Sequence, residues 1–205
     1  MADEVKITAE QVKALREATG AGMMDCKRAL QETGGDAEQA KEWLRKKGMA
    51  SAAKRAARTA TEGVIEAYIH FNARVGVLVE LNCETDFVAN TPDFRQLAKD
   101  IALHIASSQT VRWVTRDQIP ESELEAERGI YEAQAREQGK PENVIERIVT
   151  GKLEAYYRDV VLVDQPFVKD PDRTVGELID GASGKLGEKV QVRRFVRFRL
   201  GEEAI

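Results

Sequence analysis

The strongest constraint on the fold is a nine-residue segment in which the hydrophobic period is that of a β-strand. From Val75 to Cys83, every odd-numbered position is apolar. Residues at this period lie on one side of a strand, so the segment predicts a strand with one buried face. In the preceding segment, Gly63 to Phe71, apolar Ile65, Ala67 and Ile69 alternate with other residues, and residues 72–74 are suited to a turn. Together the two segments predict a β-hairpin.

The first fifty residues have the helical period instead. Thr8 and Asp36 are each followed three residues later by Gln, the pattern of a capping box at a helix start. Gly20 and Gly48 are placed to end helices, and a further helix is predicted from Met23 to Glu32. We therefore expect three short helices that share a small core.

After the hairpin, apolar residues return to helical spacing. A helix is predicted from Thr91-Pro92, with an apolar stripe from Phe94 to Ile105. Two more helices are predicted at about 120–138 and 141–161, and another after a capping box at Thr174. The last predicted element is a strand from Val190 to Leu200 with one apolar face. The pattern predicts an α+β fold: a helical N-terminal module, then an antiparallel sheet of about three strands covered by helices, with a helical hairpin.

Composition limits the possible functions. With 31 Lys and Arg against 35 Asp and Glu, the net charge is −4, which argues against a protein whose main task is to coat nucleic acid. No apolar run is long enough for a membrane span, and residues Met1–Lys6 lack secretion-signal features, so we expect a cytoplasmic protein. Cys26, Cys83, His70 and His104 lack zinc-ligand spacing. The phosphate-binding motifs are also absent, so we expect neither a metal nor a cofactor.

Two alternative functions stay open at this point. The basic segment from Lys41 to Arg58 is either a solvated helix face or a patch for an acidic protein or RNA, which favours an RNA-binding accessory protein as the alternative. Cys83 and His70 lie on the two predicted hairpin strands, where they are candidates for a thiol enzyme. The position of Cys83 in the apolar period predicts burial instead, and buried cysteines are inert.

Three large apolar side chains have two interpretations each. Met23 and Met24 are adjacent at a helix start, so both cannot face one core, and we expect one of them to be exposed as a contact residue. Phe87 lies in the connection after the hairpin, in a loop or short helical turn. The pattern alone favours a core plug for Phe87 over an exposed wedge.

Four segments resemble, in order, those of a known family. They are Thr19–Leu30 (TGAGMMDCKRAL), Asn82–Ala89 (NCETDFVA), His104–Ser107 (HIAS) and Gln165–Val168 (QPFV). Over nearly the whole chain, the sequence resembles the elongation factor Ts family. The first two segments are long and independent of each other, which makes the resemblance specific.

The resemblance implies a guanine-nucleotide exchange factor and not an enzyme, because no covalent chemistry takes place. Its partner is elongation factor Tu in the GDP form, with no membrane and no direct nucleic acid. The resemblance implies three sets of site residues. A wedge that disturbs the partner's Mg²⁺ and phosphate site consists of Thr85, Asp86, Phe87 and Val88. The N-terminal module contacts the partner through Arg16, Met23 and Met24, and His70 is a further candidate contact.

The resemblance also implies a domain organisation. It predicts a three-helix module resembling a ubiquitin-associated domain at residues 1–52, a basic linker or helix at 53–62, and an α+β core domain at 63–205. Longer family members have a core of two related halves, whereas this chain has room for one. The resemblance therefore implies a homodimer, in which we expect the sheet face to be buried.

Overall fold

The computed structural model describes residues 7–202. Residues 1–6, on which the expectation of no secretion signal rests, lie outside the described range. The helices are α1 (Ala9–Thr19), α2 (Met23–Glu32), α3 (Ala37–Arg55), α4 (Asp86–Ala89), α5 (Pro92–Ser107), α6 (Glu121–Glu137), α7 (Glu142–Val160) and α8 (Val175–Leu186). The strands are β1 (Glu62–Ile69), β2 (Val75–Cys83), β3 (Pro166–Phe167), β4 (Asp170–Thr174) and β5 (Gln191–Arg199).

The predicted α+β class is confirmed. A three-stranded antiparallel sheet has the order β1-β2-β5. A second sheet pairs β3 with β4 antiparallel, with Pro166 opposite Thr174. The sequence did not predict this small sheet, because β3 has only two residues and β4 reads Asp-Pro-Asp-Arg-Thr, a composition that disfavours strands.

The chain divides into two compact units that do not follow chain order. The first combines the chain up to Val64 with Asn82–Leu97 and Ile179–Gln191. The second combines Ile65–Leu81, Ala98–Leu178 and the chain from Val192 onward.

In the first unit, α1 to α3 form the predicted helical module. The capping box at Thr8 is confirmed, since its N–H donates to Gln11 Oε1 at 2.9 Å and its Oγ1 accepts the Gln11 N–H at 3.2 Å. Gly20 ends α1 with φ of +68°, a backbone conformation that favours glycine. The buried core of the module is Val12, Leu15, Cys26, Ala29, Leu30, Ala40 and Leu44.

The prediction that Gly48 ends the third helix is wrong. α3 continues through Gly48 to Arg55, so the segment 53–62, expected as a basic linker or helix, begins inside α3. A glycine inside a helix costs only about 1 kcal/mol, and the alanines after it are strong helix formers. Gly184 of α8 lies close to Gly48, because a Cβ added at Gly184 would be 3.4 Å from the Gly48 Cα. α3 and α8 therefore approach each other closely at these two glycines.

In the second unit, the strand pattern is confirmed for β2, where Val77, Val79 and Leu81 are fully buried. The predicted last strand is confirmed as β5, and its apolar face is buried only near its start. Val190 and Val192 are buried, whereas the exposed members of its expected face are Val196, Phe198 and Leu200. From Arg194 onward, β5 shares a face with Glu80, since Arg194 Nε lies 2.7 Å from Glu80 Oε2. This face lies opposite the buried side of β2, and it also carries the exposed apolar side chains Leu78, Val196 and Phe198.

The remaining helices match their predictions closely. The α5 stripe from Phe94 to Ile105 is buried, and α6 and α7 pack as a hairpin around Ala135, Ile145, Val149 and Leu153. The capping box at Thr174 is present at the start of α8, with reciprocal bonds to Glu177 at 3.0 and 3.1 Å. In the part of the chain that the structure describes, no helix is long and apolar enough to cross a membrane.

Two segments that carry the family resemblance meet in the second unit. His104 Nε2 lies 2.9 Å from Gln165 Oε1, and the Val168 N–H donates to His104 Nδ1 at 3.2 Å. The His104 and Phe167 rings are 6.0 Å apart. These residues are 61 to 64 positions apart in the chain, so their contact joins α5 to the β3 region. His104 is thus a structural histidine.

Candidate functional site

The segment Thr85–Val88 forms a capped turn after β2. Thr85 is the N-cap of the four-residue helix α4, and its Oγ1 accepts the Val88 N–H at 3.4 Å. Ala89 is the buried residue of this helix. Asp86 is exposed, Val88 is half-buried, and Phe87 is 83% exposed.

The interpretation of Phe87 as a core plug is therefore wrong. A one-turn helix can direct only one side inward, and Ala89 occupies the inward position. The exposed position of Phe87 agrees with the wedge that the family resemblance implied. We call Thr85–Val88 the wedge turn.

The backbone that leads into the wedge turn is held by the segment after α8. The N–H groups of Glu84 and Thr85 each donate to Glu188 Oε2 at 3.0 Å, and the Thr85 hydroxyl donates to Glu188 Oε1 at 2.6 Å. Glu84 in turn accepts the Lys189 N–H at 2.6 Å and pairs with Arg58 at 3.2 Å. These donors lower the pKa of the Glu84 carboxyl, with the Lys189 N–H as the largest cause.

Sequence reasoning missed Glu188 and Lys189. They follow the predicted helix end at Gly187 and match no motif. Their partners lie 103 to 105 positions away in the chain, so no local pattern links them. Correlated substitutions at Glu188 and at its partners could reveal the contact, but only in an alignment of several sequences.

Cys83 is a structural residue of the same region. Its side chain is fully buried, and its thiol donates to the Thr85 carbonyl oxygen at 3.1 Å. Burial, with a smaller contribution from the negative charge of Glu188, raises the pKa of the Cys83 thiol to about 11. A protonated, buried thiol is a poor nucleophile, which argues against the thiol-enzyme alternative.

The three residues of the N-terminal module for which the resemblance implies partner contacts are all exposed. Met23 and Met24 are 58% and 73% exposed, although we expected only one of them outside the core. Cys26, Ala29 and Leu30 fill the inward face of α2 and leave no place there for either methionine. Arg16, in the last turn of α1, is exposed as well.

His70 lies in the second unit, at the tip of the β1–β2 hairpin. Its Nδ1 is 3.0 Å from the Tyr68 hydroxyl, and its ring lies 4.4 Å from that of Phe71. Phe71 is 91% exposed. The other predicted site residues, Arg16, Met23, Met24 and Thr85–Val88, belong to the first unit.

The basic segment from Lys41 to Arg58 has several of its cations paired with acidic neighbours. Its ion pairs are Lys41 with Glu38, Lys46 with Glu42, Lys47 with Asp25, and Arg58 with Glu84. A surface for RNA would offer unpaired cations to phosphates. The structure therefore weakens the RNA-binding alternative. Within residues 7–202, no group of three or more His, Cys, Asp or Glu residues is arranged to hold a metal ion.

Comparison with known proteins agrees with the resemblance. The family model described as "Elongation factor TS" matches residues 7–202. The chain is 56% identical to Elongation factor Ts of Carboxydothermus hydrogenoformans over 96% of this chain and 90% of that protein. It is also 56% identical to Elongation factor Ts of Moorella thermoacetica, over 96% of each chain.

A third relative gives the same result. Elongation factor Ts of Geobacter sulfurreducens is 53% identical over 97% of this chain and 91% of that protein. Both the family match and the similarity to these relatives extend over almost the whole chain. The chain therefore belongs to the elongation factor Ts family of translation elongation factors.

Proposed function

We propose that the protein binds elongation factor Tu in its GDP form and promotes release of GDP, so that GTP can bind. Membership of the family supports this function, and the exposed Phe87 on a fixed turn is the observation that carries it. An exposed aromatic ring on a held backbone is suited to insertion into a partner pocket. The protein forms and breaks no covalent bond in this role, so it is not an enzyme in that sense.

Exchange follows from differential binding to two partner conformations. The partner holds GDP and Mg²⁺ through a preorganised set of phosphate contacts. Phe87 and Asp86, presented by Thr85 and Val88, bind better to a conformation in which those contacts are misaligned. By linkage, the factor weakens GDP binding by the same ratio as GDP weakens binding of the factor. The equilibrium between free GDP and GTP is unchanged, and only the barrier to exchange falls.

The N-terminal module contributes affinity in this proposal. Met23 and Met24 offer adaptable apolar contacts, and Arg16 offers hydrogen bonds and charge. We assign His70, beside the exposed Phe71, a separate contact with the partner. We also retain the division into a module at 1–52, a linker at 53–62 and a core at 63–205 as a proposal.

We further propose that two copies associate through the exposed apolar face of the sheet in the second unit. The face consists of Ile65, Ile69, Leu78, Val196 and Phe198. Monomeric proteins seldom leave a contiguous apolar patch of this kind uncovered, and a two-fold pair of identical patches is the commonest solution. We place this dimer in the cytoplasm, which agrees with the two free cysteines.

Release of a fluorescent GDP analogue from elongation factor Tu tests the exchange function. We expect the wild-type protein to accelerate release. The Phe87→Ala variant should lose about thirtyfold of that acceleration, which corresponds to about 2 kcal/mol, because the ring is the main anchor. Asp86→Ala should reduce the acceleration less.

Ile130→Ala is the matched control, because Ile130 is also an exposed apolar residue but lies on α6. It should behave as the wild type. If folded wild-type protein fails to accelerate release from a cognate partner, the proposed function is wrong. If Phe87→Ala keeps full acceleration, the function stands and the wedge assignment is wrong.

A further inference from the structure

Three donors next to the wedge turn converge on one carboxylate. Glu188 accepts the backbone N–H groups of Glu84 and Thr85 through Oε2, and the Thr85 hydroxyl through Oε1. Hydrogen bonds to an ionised carboxylate are shorter and stronger than those between neutral groups. All three donors lie two or three residues before Phe87 in the chain, so they fix the backbone that leads to its ring.

The segment at Glu188 and Lys189 also donates hydrogen bonds, one of them to the side chain of Glu84. Glu84 Oε1 accepts the Lys189 N–H, and Lys189 Nζ donates to the Arg58 carbonyl oxygen at 2.9 Å. Glu188 is itself restrained, because its carbonyl oxygen accepts the Ser183 hydroxyl at 2.6 Å. We call Glu84, Thr85, Glu188 and Lys189 the carboxylate clasp. It is a reciprocal set of bonds, not a single contact.

We propose that Glu188 is a positioning residue that holds Phe87 in the orientation in which it enters the partner, an inference that rests on the exchange function proposed above. A free turn would have to lose conformational freedom on binding, and that cost would reduce the free energy available to distort the partner. With the clasp in place, this ordering takes place during folding. Glu188 does not touch the partner in this account and acts through Thr85.

Hydrogen exchange in the isolated protein tests the clasp without any partner. We expect Glu188→Ala to accelerate exchange of the Glu84 and Thr85 amides at least tenfold, while the amides of buried Val77 and Val79 keep their protection. Glu146→Ala is the control, because it removes an exposed carboxylate from α7. It should leave the exchange rates of all four amides unchanged. Unchanged protection at Glu84 and Thr85 in Glu188→Ala would overturn the proposal.

Kinetics of GDP release separate positioning from a general loss of structure. At saturating factor, we expect Glu188→Ala to reduce the limiting release rate about tenfold. The half-saturating concentration should change less than threefold, because the methionine contacts of the N-terminal module remain. Glu188→Asp retains a carboxylate and should recover part of the rate. Thermal unfolding shows whether each variant is folded. If Glu188→Ala does not fold, Glu188→Gln takes its place in the kinetic measurements.

A double variant gives the sharpest result. If Glu188 acts only through Phe87, adding Glu188→Ala to Phe87→Ala should cause almost no further loss of limiting rate. A further tenfold loss, or a wild-type rate for Glu188→Ala alone, overturns the positioning role. If wild-type protein does not accelerate release at all, the exchange function fails and the role of Glu188 fails with it. Hydrogen exchange then still shows whether the clasp holds the turn.

Discussion

The ring of Phe87 occupies an unfavourable position in the isolated protein. Burial of such a side chain is worth about 1.5–3 kcal/mol, and 83% exposure forgoes most of it. The turn nevertheless holds the ring outward, because Thr85 is fixed from both sides and Ala89 takes the inward place. Residues of this kind are poorly predicted from hydrophobicity alone, since hydrophobicity predicts burial and the proposed wedge role requires exposure.

At the same scale, buried His104 should make stability depend on pH. Nδ1 accepts the Val168 N–H, so the neutral ring carries its proton on Nε2, towards Gln165. Burial lowers the pKa of His104 below its usual 6.5. The unfolded chain therefore binds a proton first as the pH falls, and stability should decrease below about pH 6.5, by at most about 1.4 kcal/mol per pH unit.

Urea unfolding at pH 7.5 and pH 5.5 measures this effect. His104→Gln serves as the comparison, because its amide does not titrate. The free energy of unfolding should fall more steeply towards acid in the wild type than in the variant. Equal slopes for the two proteins would show that His104 is not the group responsible.

At the scale of elements, α3 shows that a glycine does not by itself decide where a helix ends. Gly48 was predicted to stop the helix, yet the helix continues through it, and the φ angle of Gly48 is not positive. Where glycine does end a helix, as at Gly20 and Gly187, φ is positive. The residue is glycine in both cases, so whether the helix ends there depends on the residues that follow.

Substitution of Gly48 should therefore stabilise the protein. A Cβ at position 48 would meet no atom within 4 Å, so Gly48→Ala should gain about 0.5–1 kcal/mol from helix propensity. Gly184→Ala is the matched comparison in α8, where the new Cβ would lie 3.4 Å from Gly48 Cα. It should gain less or lose stability. Urea unfolding compares the two, and a destabilised Gly48→Ala would contradict the prediction.

At the scale of the whole molecule, the sequence predicted the fold class and most elements but not their grouping. Capping boxes at Thr8 and Thr174 and the period of β2 are local signals, and each led to a correct element. The contact of Glu188 with the wedge turn joins residues about a hundred positions apart, and nothing in a local pattern encodes it. The candidate site therefore rests on the resemblance, whereas the hydrogen bonds that hold its backbone are seen only in the three-dimensional structure.

The exposed sheet face yields a prediction about the assembled molecule. Leu78, 47% exposed on the central strand β2, lies in the middle of the proposed dimer surface. Leu78→Glu would place two charges opposite each other in a two-fold contact, so it should convert a dimer into a monomer of 22.8 kDa. Sedimentation equilibrium at micromolar concentration measures the mass.

Ile130→Glu is the control for this substitution, because Ile130 is 49% exposed but lies on the α6–α7 hairpin. It should leave the mass unchanged. A wild-type protein that sediments as a monomer would contradict the proposed dimer, and a dimer that survives Leu78→Glu would place the interface elsewhere.

The separation of the two halves of the clasp has a consequence for synthesis on the ribosome. Glu84 is made 104 residues before Glu188, so the turn that carries Phe87 leaves the ribosome long before its support exists. Long-range contacts of this kind form late in folding. A nascent or truncated chain would display the wedge sequence without the geometry to use it. In the proposed role, competence to act on a partner is thus acquired only after Glu188 and Lys189 have been made.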